Sequence, residues 1–334
     1  MDLTKYGLYT ALAIVTYLML LQWQEDYPPT IDDGSSSRAE APQIPNGQNG
    51  SQASNDLPSD IPSGVPEVIT SNTSDTPTVA AISNPSAADT TSSADLISIR
   101  TDTFEIRIDP VGGDIVYLAL PFYLKQLDVP DDPFVLLDNQ LGREYIAQSG
   151  LIGANGVDSD GRAIYRTTSA SYSMSESADS LNVDLTTTTA DGIEVIKRYG
   201  FNRDSYLIDI SFIVNNRSSE NWQANAFGQI KRDAFDDPSD AGGFGRTYLG
   251  FVTTIEDDPY IEIEFDDIDD SGSSTRETTG GWVAFSQHYF ITAWVPDAES
   301  LNRVTTRKNG SNQYYGEFTS SAFQIAAGGS GTHT

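Results

Sequence analysis

Asp267, Asp269, Ser271 and Gly272 stand at positions one, three, five and six of a pattern that can hold calcium, in which oxygen ligands alternate and a glycine makes the sharp turn. The twelfth position needs a bidentate glutamate. Here it is Thr278, with Glu277 one place early, so the ligand shell lacks its closing member and a hydrated acidic hairpin loop is expected instead. Sugar epimerisation would need a carboxylate base and a histidine acid converging in one cleft. The histidines are His288, expected as a solvated or core-edge residue, and His333, in a glycine-rich end. No Gly-x-Ser-x-Gly elbow, phosphate-cradling glycine loop or histidine pair with metal spacing occurs. The glycine-rich run at 236–245, DDPSDAGGFG, is expected to be an exposed loop. No catalytic, cofactor-binding or metal residue is assigned, no cofactor is expected, and the chain is not expected to be an enzyme.

What remains is a question of elements. Residues 6–23, YGLYTALAIVTYLMLLQW, carry no charged side chain, and as a helix they span roughly 27 Å, close to the hydrocarbon thickness of a bilayer. Tyr6 and Tyr9 at one end, and Trp23 and Tyr27 at the other, fall where amphipathic rings settle at a lipid boundary. A cleaved leader would show small residues at its exit, whereas this run passes directly into Gln22, Trp23, Gln24, Glu25 and Asp26. A retained transmembrane helix over 6–24 is therefore expected. Lys5 precedes it and Glu25, Asp26, Asp32 and Asp33 follow, which places residues 1–5 in the cytoplasm and the bulk outside.

Residues 25–95 differ in kind. Nine of the 16 prolines lie between residues 28 and 95, Arg38 is the one basic residue there, and no aromatic occurs between Tyr27 and Phe104. Such a segment cannot bury enough apolar surface to offset its ordering entropy, so a disordered linker is expected. About 240 residues remain, ample for one large core or two small ones. The absence of cysteine excludes disulfides and thiolate metal sites. A formal charge of −29 excludes nucleic acid as a partner, because nothing neutralises a row of phosphates, and disfavours broad docking on anionic lipid heads.

Beyond Leu96 the hydrophobic period becomes two. Residues 103–108 alternate, Asp109 to Gly113 turn the chain, and 115–120 return. Residues 181–185, the return along Ile193, Val195, Lys197, Tyr199 and Phe201, and the apolar set Tyr206, Ile208, Ile210, Phe212 and Val214 read as a meander. Further strands are expected at 164–168, 172–175, 223–231, 248–252, 260–265, 282–285, 289–295, 304–307 and 314–318. No long window shows a capped 3.6 period, so the body at 96–334 is expected to be an all-β, mainly antiparallel sandwich.

The run GGWVAFSQHYFITAWVP at 280–296 resembles the signature of the large periplasmic domain of the YidC/Oxa1/Alb3 insertase family of Gram-negative bacteria. Other pieces agree in order: Thr101 and Asp102, then DPVGGDI at 109–115, AQSGL at 147–151 and FGQIK at 227–231. The resemblance implies a galactose mutarotase-like β-supersandwich held in the periplasm by one transmembrane helix in the inner membrane. It implies a role in inserting and folding inner-membrane proteins, with nascent membrane proteins, the Sec translocon and its SecDF accessory complex as partners and bilayer lipid met through residues 6–24. It also implies five further membrane helices with a hydrophilic groove. After Trp23 the best uncharged run, 280–295, is too short and polar to span, so the chain is expected to be an N-terminal fragment that stops before the sandwich's last strand. The other class of reading is a membrane-tethered carbohydrate-binding or mutarotase-like β-sandwich.

Overall fold

The computed structural model describes residues 96–126, 129, 131–235, 248–256 and 258–334. The expected anchor, the linker and the run at 236–245 lie outside the described residues. Among those described, no helix is long and apolar enough to cross a membrane.

The alternating run forms β2 (Glu105–Asp109) beside β1 (Ile97–Arg100), and the chain returns as β3 (Asp114–Leu124). Gly112 and Gly113 make the turn with φ of 79° and 61°, a left-handed conformation that only glycine adopts without steric cost. β4 (Pro133–Gln140) and β5 (Arg143–Ile152) follow antiparallel. β6 (Ser171–Ser173) then pairs with β1 in parallel. The meander forms as read: β7 (Ser180–Thr188), β8 (Glu194–Asn202) and β9 (Ile208–Asn215). β10 (Trp222–Asp233) crosses back to lie beside β5.

In the second half, β11 (Gly250–Ile255) and β12 (Asp258–Ile263) lead into a short helix, α1 (Phe265–Ser271). After it come β13 (Ser274–Thr279), β14 (Trp282–Ser286), β15 (Ile291–Trp294), β16 (Leu301–Lys308) and β17 (Gln313–Ser320). β18 (Phe323–Ile325) and β19 (Ser330–His333) end the chain. The expected acidic hairpin loop is thus corrected to a helix. Glu264 and Asp267 close a reciprocal capping box, and Ile268 buries one face of the turn. The strand expected at 164–168 is two isolated bridges, at Ile164 and Arg166.

Three sheets result. The eleven-stranded one runs β13-β16-β17-β10-β5-β4-β3-β2-β1-β6, with β18 also on β10; the four-stranded ones run β12-β11-β14-β15 and β19-β9-β8-β7. Residue alternation places both small sheets on one face of the large one. Leu151, Ala224 and Ala226 pack with Val195, Phe212 and Val214 of the meander sheet. Gly228 and Gly316, on the same face, lie against Trp294 and Phe251 of the other small sheet. Burying each such aromatic or aliphatic side chain contributes roughly 1.5–3 kcal/mol. The architecture is therefore the expected all-β supersandwich, one broad sheet under two narrow ones.

Candidate functional site: an apolar cleft where two sheets meet

Where the two small sheets approach each other they leave a cleft of about 450 Å³, the size of a ligand site. Its floor is the large sheet, at Ile115, Leu118 and Ala147; one wall is β9, at Ile208 and Ile210, and the other is β15, at Ile291 and Ala293. Aromatic rings span the mouth. Tyr123 of β3 lies edge-on to Tyr206 (centroids 6.1 Å apart) and to Phe290 (5.3 Å), which stand just ahead of β9 and β15. Tyr289 is 75% exposed, Leu207 61% and Ile291 55%. Large apolar side chains so exposed, and gathered at a concave apolar site, mark a contact surface rather than scattered exposure. Asp209 and Asp297 are the charged residues lining the cleft, with no lysine or arginine among the lining residues. Trp294 Nε1 and Thr292 Oγ1, on the β15 wall, are buried without a hydrogen-bond partner.

A buried ionic cluster fixes the sheets that frame this cleft. Lys197 points inward from β8 beside Val195, Tyr199 and Phe201 and is fully buried. Its Nζ donates to the carbonyls of Gly112 (3.0 Å), Gly113 (2.9 Å) and Ser149 (2.9 Å), and lies 3.9 Å from Asp114. Arg162 bridges Asp114 and, at 3.1 Å, Asp158. Burial pushes the Lys197 ammonium down to about 7; Asp114 opposes this and Arg162 adds to it. Burial also opposes the charge on Arg162, but Asp114 and Asp158 outweigh it and raise that group. Tyr199 donates to the Gly113 carbonyl, and burial raises its hydroxyl well above the ordinary value. The cluster closes on its own turn and offers no open ligand position.

The residues singled out for chemistry do not converge. Asp269 Oδ1 accepts from Lys308 Nζ at 2.6 Å and from Tyr314 Oη at 3.0 Å, which lowers its carboxyl, Lys308 being the larger cause. Glu277 and Thr278 lie on β13, beyond the helix. His288 is exposed in the β14–β15 turn, against the Tyr289 ring. His333 stacks on Phe323 with centroids 4.4 Å apart and lines the cleft; burial lowers its pKa, with Asp297 opposing. Asp297 Oδ1 is occupied by the amides of Glu299 (2.8 Å) and Ser300 (3.1 Å). The cleft itself was not read from the sequence, because its walls come from strands far apart in the chain. The apolar residues at alternate positions of 289–295 are the one local signal of it.

Residues 96–334 match the family model described as YidC periplasmic domain. Over 357 aligned residues the chain is 41% identical to the membrane protein insertase YidC of Ectopseudomonas mendocina, covering 99% of this chain and 58% of that protein. It is 41% identical over 336 residues to that of Azotobacter vinelandii, covering 99% and 57%. The chain therefore spans somewhat more than half the length of these relatives. Among solved structures, a galactose mutarotase-related enzyme from Lactobacillus acidophilus aligns with a TM-score of 0.43 at 13% identity, over 71% of this chain and 95% of that one. A galactose mutarotase-like protein from Lactobacillus casei aligns with a TM-score of 0.43 at 9% identity, over 71% and 97%.

Proposed function

Because the chain belongs to the YidC membrane protein insertase family, we propose that it is the anchor, tether and periplasmic domain of an inner-membrane insertase, a non-enzymatic platform on which membrane proteins are received while they insert and fold. The observation that carries the reading is the family match across the whole described body. In it residues 1–5 are cytoplasmic, 6–24 cross the inner membrane once, 25–95 form the tether and 96–334 lie in the periplasm. Nascent membrane proteins are the clients, and the Sec translocon with its SecDF accessory complex are the neighbours. The apolar cleft with its aromatic rim supports a platform role, since it presents hydrophobic surface, and among the described residues the one carboxylate beside His333, Asp297, has Oδ1 held by the amides of Glu299 and Ser300. The test is photocrosslinking in native membranes from positions 206 and 289, at the mouth. Recovery of nascent membrane proteins or translocon subunits is expected, and recovery of neither overturns the reading. Protease added to intact spheroplasts is expected to digest the body; protection until lysis would invert the topology.

A further inference from the structure

The outer face of the β12-β11-β14-β15 sheet carries an aromatic corner that neither the core nor the cleft uses. Phe251 and Val283 pack inward on Gly316 of the large sheet, so alternation turns Thr254 and Trp282, which pair across β11 and β14, to the solvated side. Thr253 lies opposite Ile261 and Ile255 opposite Asp258, so between these pairs β11 has one residue, Thr254, and β12 has two, Pro259 and Tyr260. That bulge re-aims Tyr260 toward the row of Thr254 and Trp282. Its ring lies 6.5 Å from that of Trp282, tilted by 60°, and Tyr260 is 51% exposed. Glu262, opposite the outward Val252, is exposed on the same face. β12 is the edge strand of its sheet, and neither ring lines the cleft.

Charge decides what such a corner takes. Residues 250–275 carry nine carboxylates and no lysine or arginine. Among the described residues, Lys308 on Asp269 is the one cation that pairs with any of them. No described lysine or arginine lies over Tyr260 or Trp282. Two π faces thus stand open in a field of uncompensated negative charge.

We propose that this corner docks a basic segment of another protein, with one arginine guanidinium stacked on Tyr260 against the Trp282 ring and donating to the Glu262 carboxylate. A guanidinium fits because it is planar, stacks on aromatic faces and keeps its in-plane N–H groups for a carboxylate. The surrounding carboxylates steer the segment to the face and reject acidic ones. The inference goes beyond the platform reading and does not rest on it, since the corner lies outside the cleft.

The experiment uses the full chain in phosphatidylcholine nanodiscs, labelled with 5-fluorotryptophan, and a glycine-serine peptide that carries three arginines. Trp282→Phe identifies the fluorine signal of Trp282. On titration of the peptide that signal should move and saturate, while that of Trp222, buried against Phe323, stays in place. A twin with citrulline, which keeps the shape and loses the charge, should bind at least about tenfold more weakly. Tyr260→Leu should weaken the arginine peptide at least about fivefold, where Tyr260→Phe, which keeps the ring, does not. An unmoved Trp282 signal, equal binding of the citrulline twin, or a Tyr260→Leu variant that binds like the parent overturns the proposal; the last would leave only diffuse attraction between a basic peptide and an acidic body. Failure here with intact crosslinks to clients leaves the insertase reading standing, and binding here without such crosslinks does the reverse.

Discussion

The Nζ of Lys197 donates to the carbonyl of Ser149 at 2.9 Å, tying the middle strand of the meander sheet to the centre of the eleven-stranded one. With Gly112 and Gly113 also accepting, three carbonyls call for three N–H groups, which only the ammonium supplies.

That arrangement gives stability a pH dependence with a definite sign. Burial sets the folded pKa of Lys197 near 7, below the unfolded value of about 10.4. Between those limits the unfolded chain holds a proton that the native state does not, so this group's contribution rises with pH, at roughly 1.4 kcal/mol per unit, and is flat below 7. Lys197→Met should abolish it. Urea unfolding of both proteins at pH 6 and pH 9 should show the difference shifting by about 2 kcal/mol in favour of the parent; a difference that stays constant refutes the assignment.

Gly228 sets how closely the large sheet and the β15 sheet approach. A Cβ there would lie 2.6 Å from the Phe318 ring and 2.7 Å from that of Trp294. Gly228→Val should destabilise the body by about 1–3 kcal/mol through overpacking. A midpoint for thermal unfolding equal to the parent's would show that the sheets part without strain.

On the opposite face of the large sheet a polar ladder crosses five strands. Arg307 pairs with Glu317 at 3.1 Å, Gln229 donates to Gln148 at 2.8 Å, and Gln148 donates to Asp114 at 2.9 Å. Replacing Gln229 by Leu leaves buried Gln148 short of a partner and should cost about 1–3 kcal/mol. The Gln148→Leu, Gln229→Leu double variant should cost less than the sum of the singles, and a double-mutant cycle that closes additively would dismiss the coupling.

Calcium at millimolar concentration should release no saturable heat in calorimetry. The Asp269 carboxylate is already held by Lys308 and Tyr314, and α1 carries Asp267 into its own cap. A saturable signal lost in Asp269→Ala would contradict this.

The sequence disclosed the architecture unevenly, for physical reasons. The meander was legible because each of its strands has one solvated face, so apolar and polar residues alternate; the burial of Lys197 within it emerges only from the structure. β5 was not legible, although it is a central strand. Buried on both faces, it loses the alternation, and its Arg143, Glu144, Gln148 and Ser149 read as surface residues until the partners from β3 and β10 are known. The helix α1 hid for the opposite reason: one turn with a single buried residue is too short to establish a period. The cleft is a product of tertiary assembly, and only the aliphatic and aromatic pattern of β15 foreshadowed it.

The neighbours of β10 govern when this body can take shape. Its partner β5 lies some eighty residues upstream, and its other partner β17 some ninety residues downstream. Loops of that length must close before their contacts are rewarded, so high contact order makes acquisition of the native state slow, on the order of milliseconds to seconds. A chain emerging from a ribosome or a translocation pore exposes β5 long before Trp222–Asp233 arrives to cover it, and the far side of β10 waits for Gln313–Ser320 and then Phe323–Ile325. Until then the broad sheet stands open along both sides of its central seam, a vulnerable interval that only chain length can shorten.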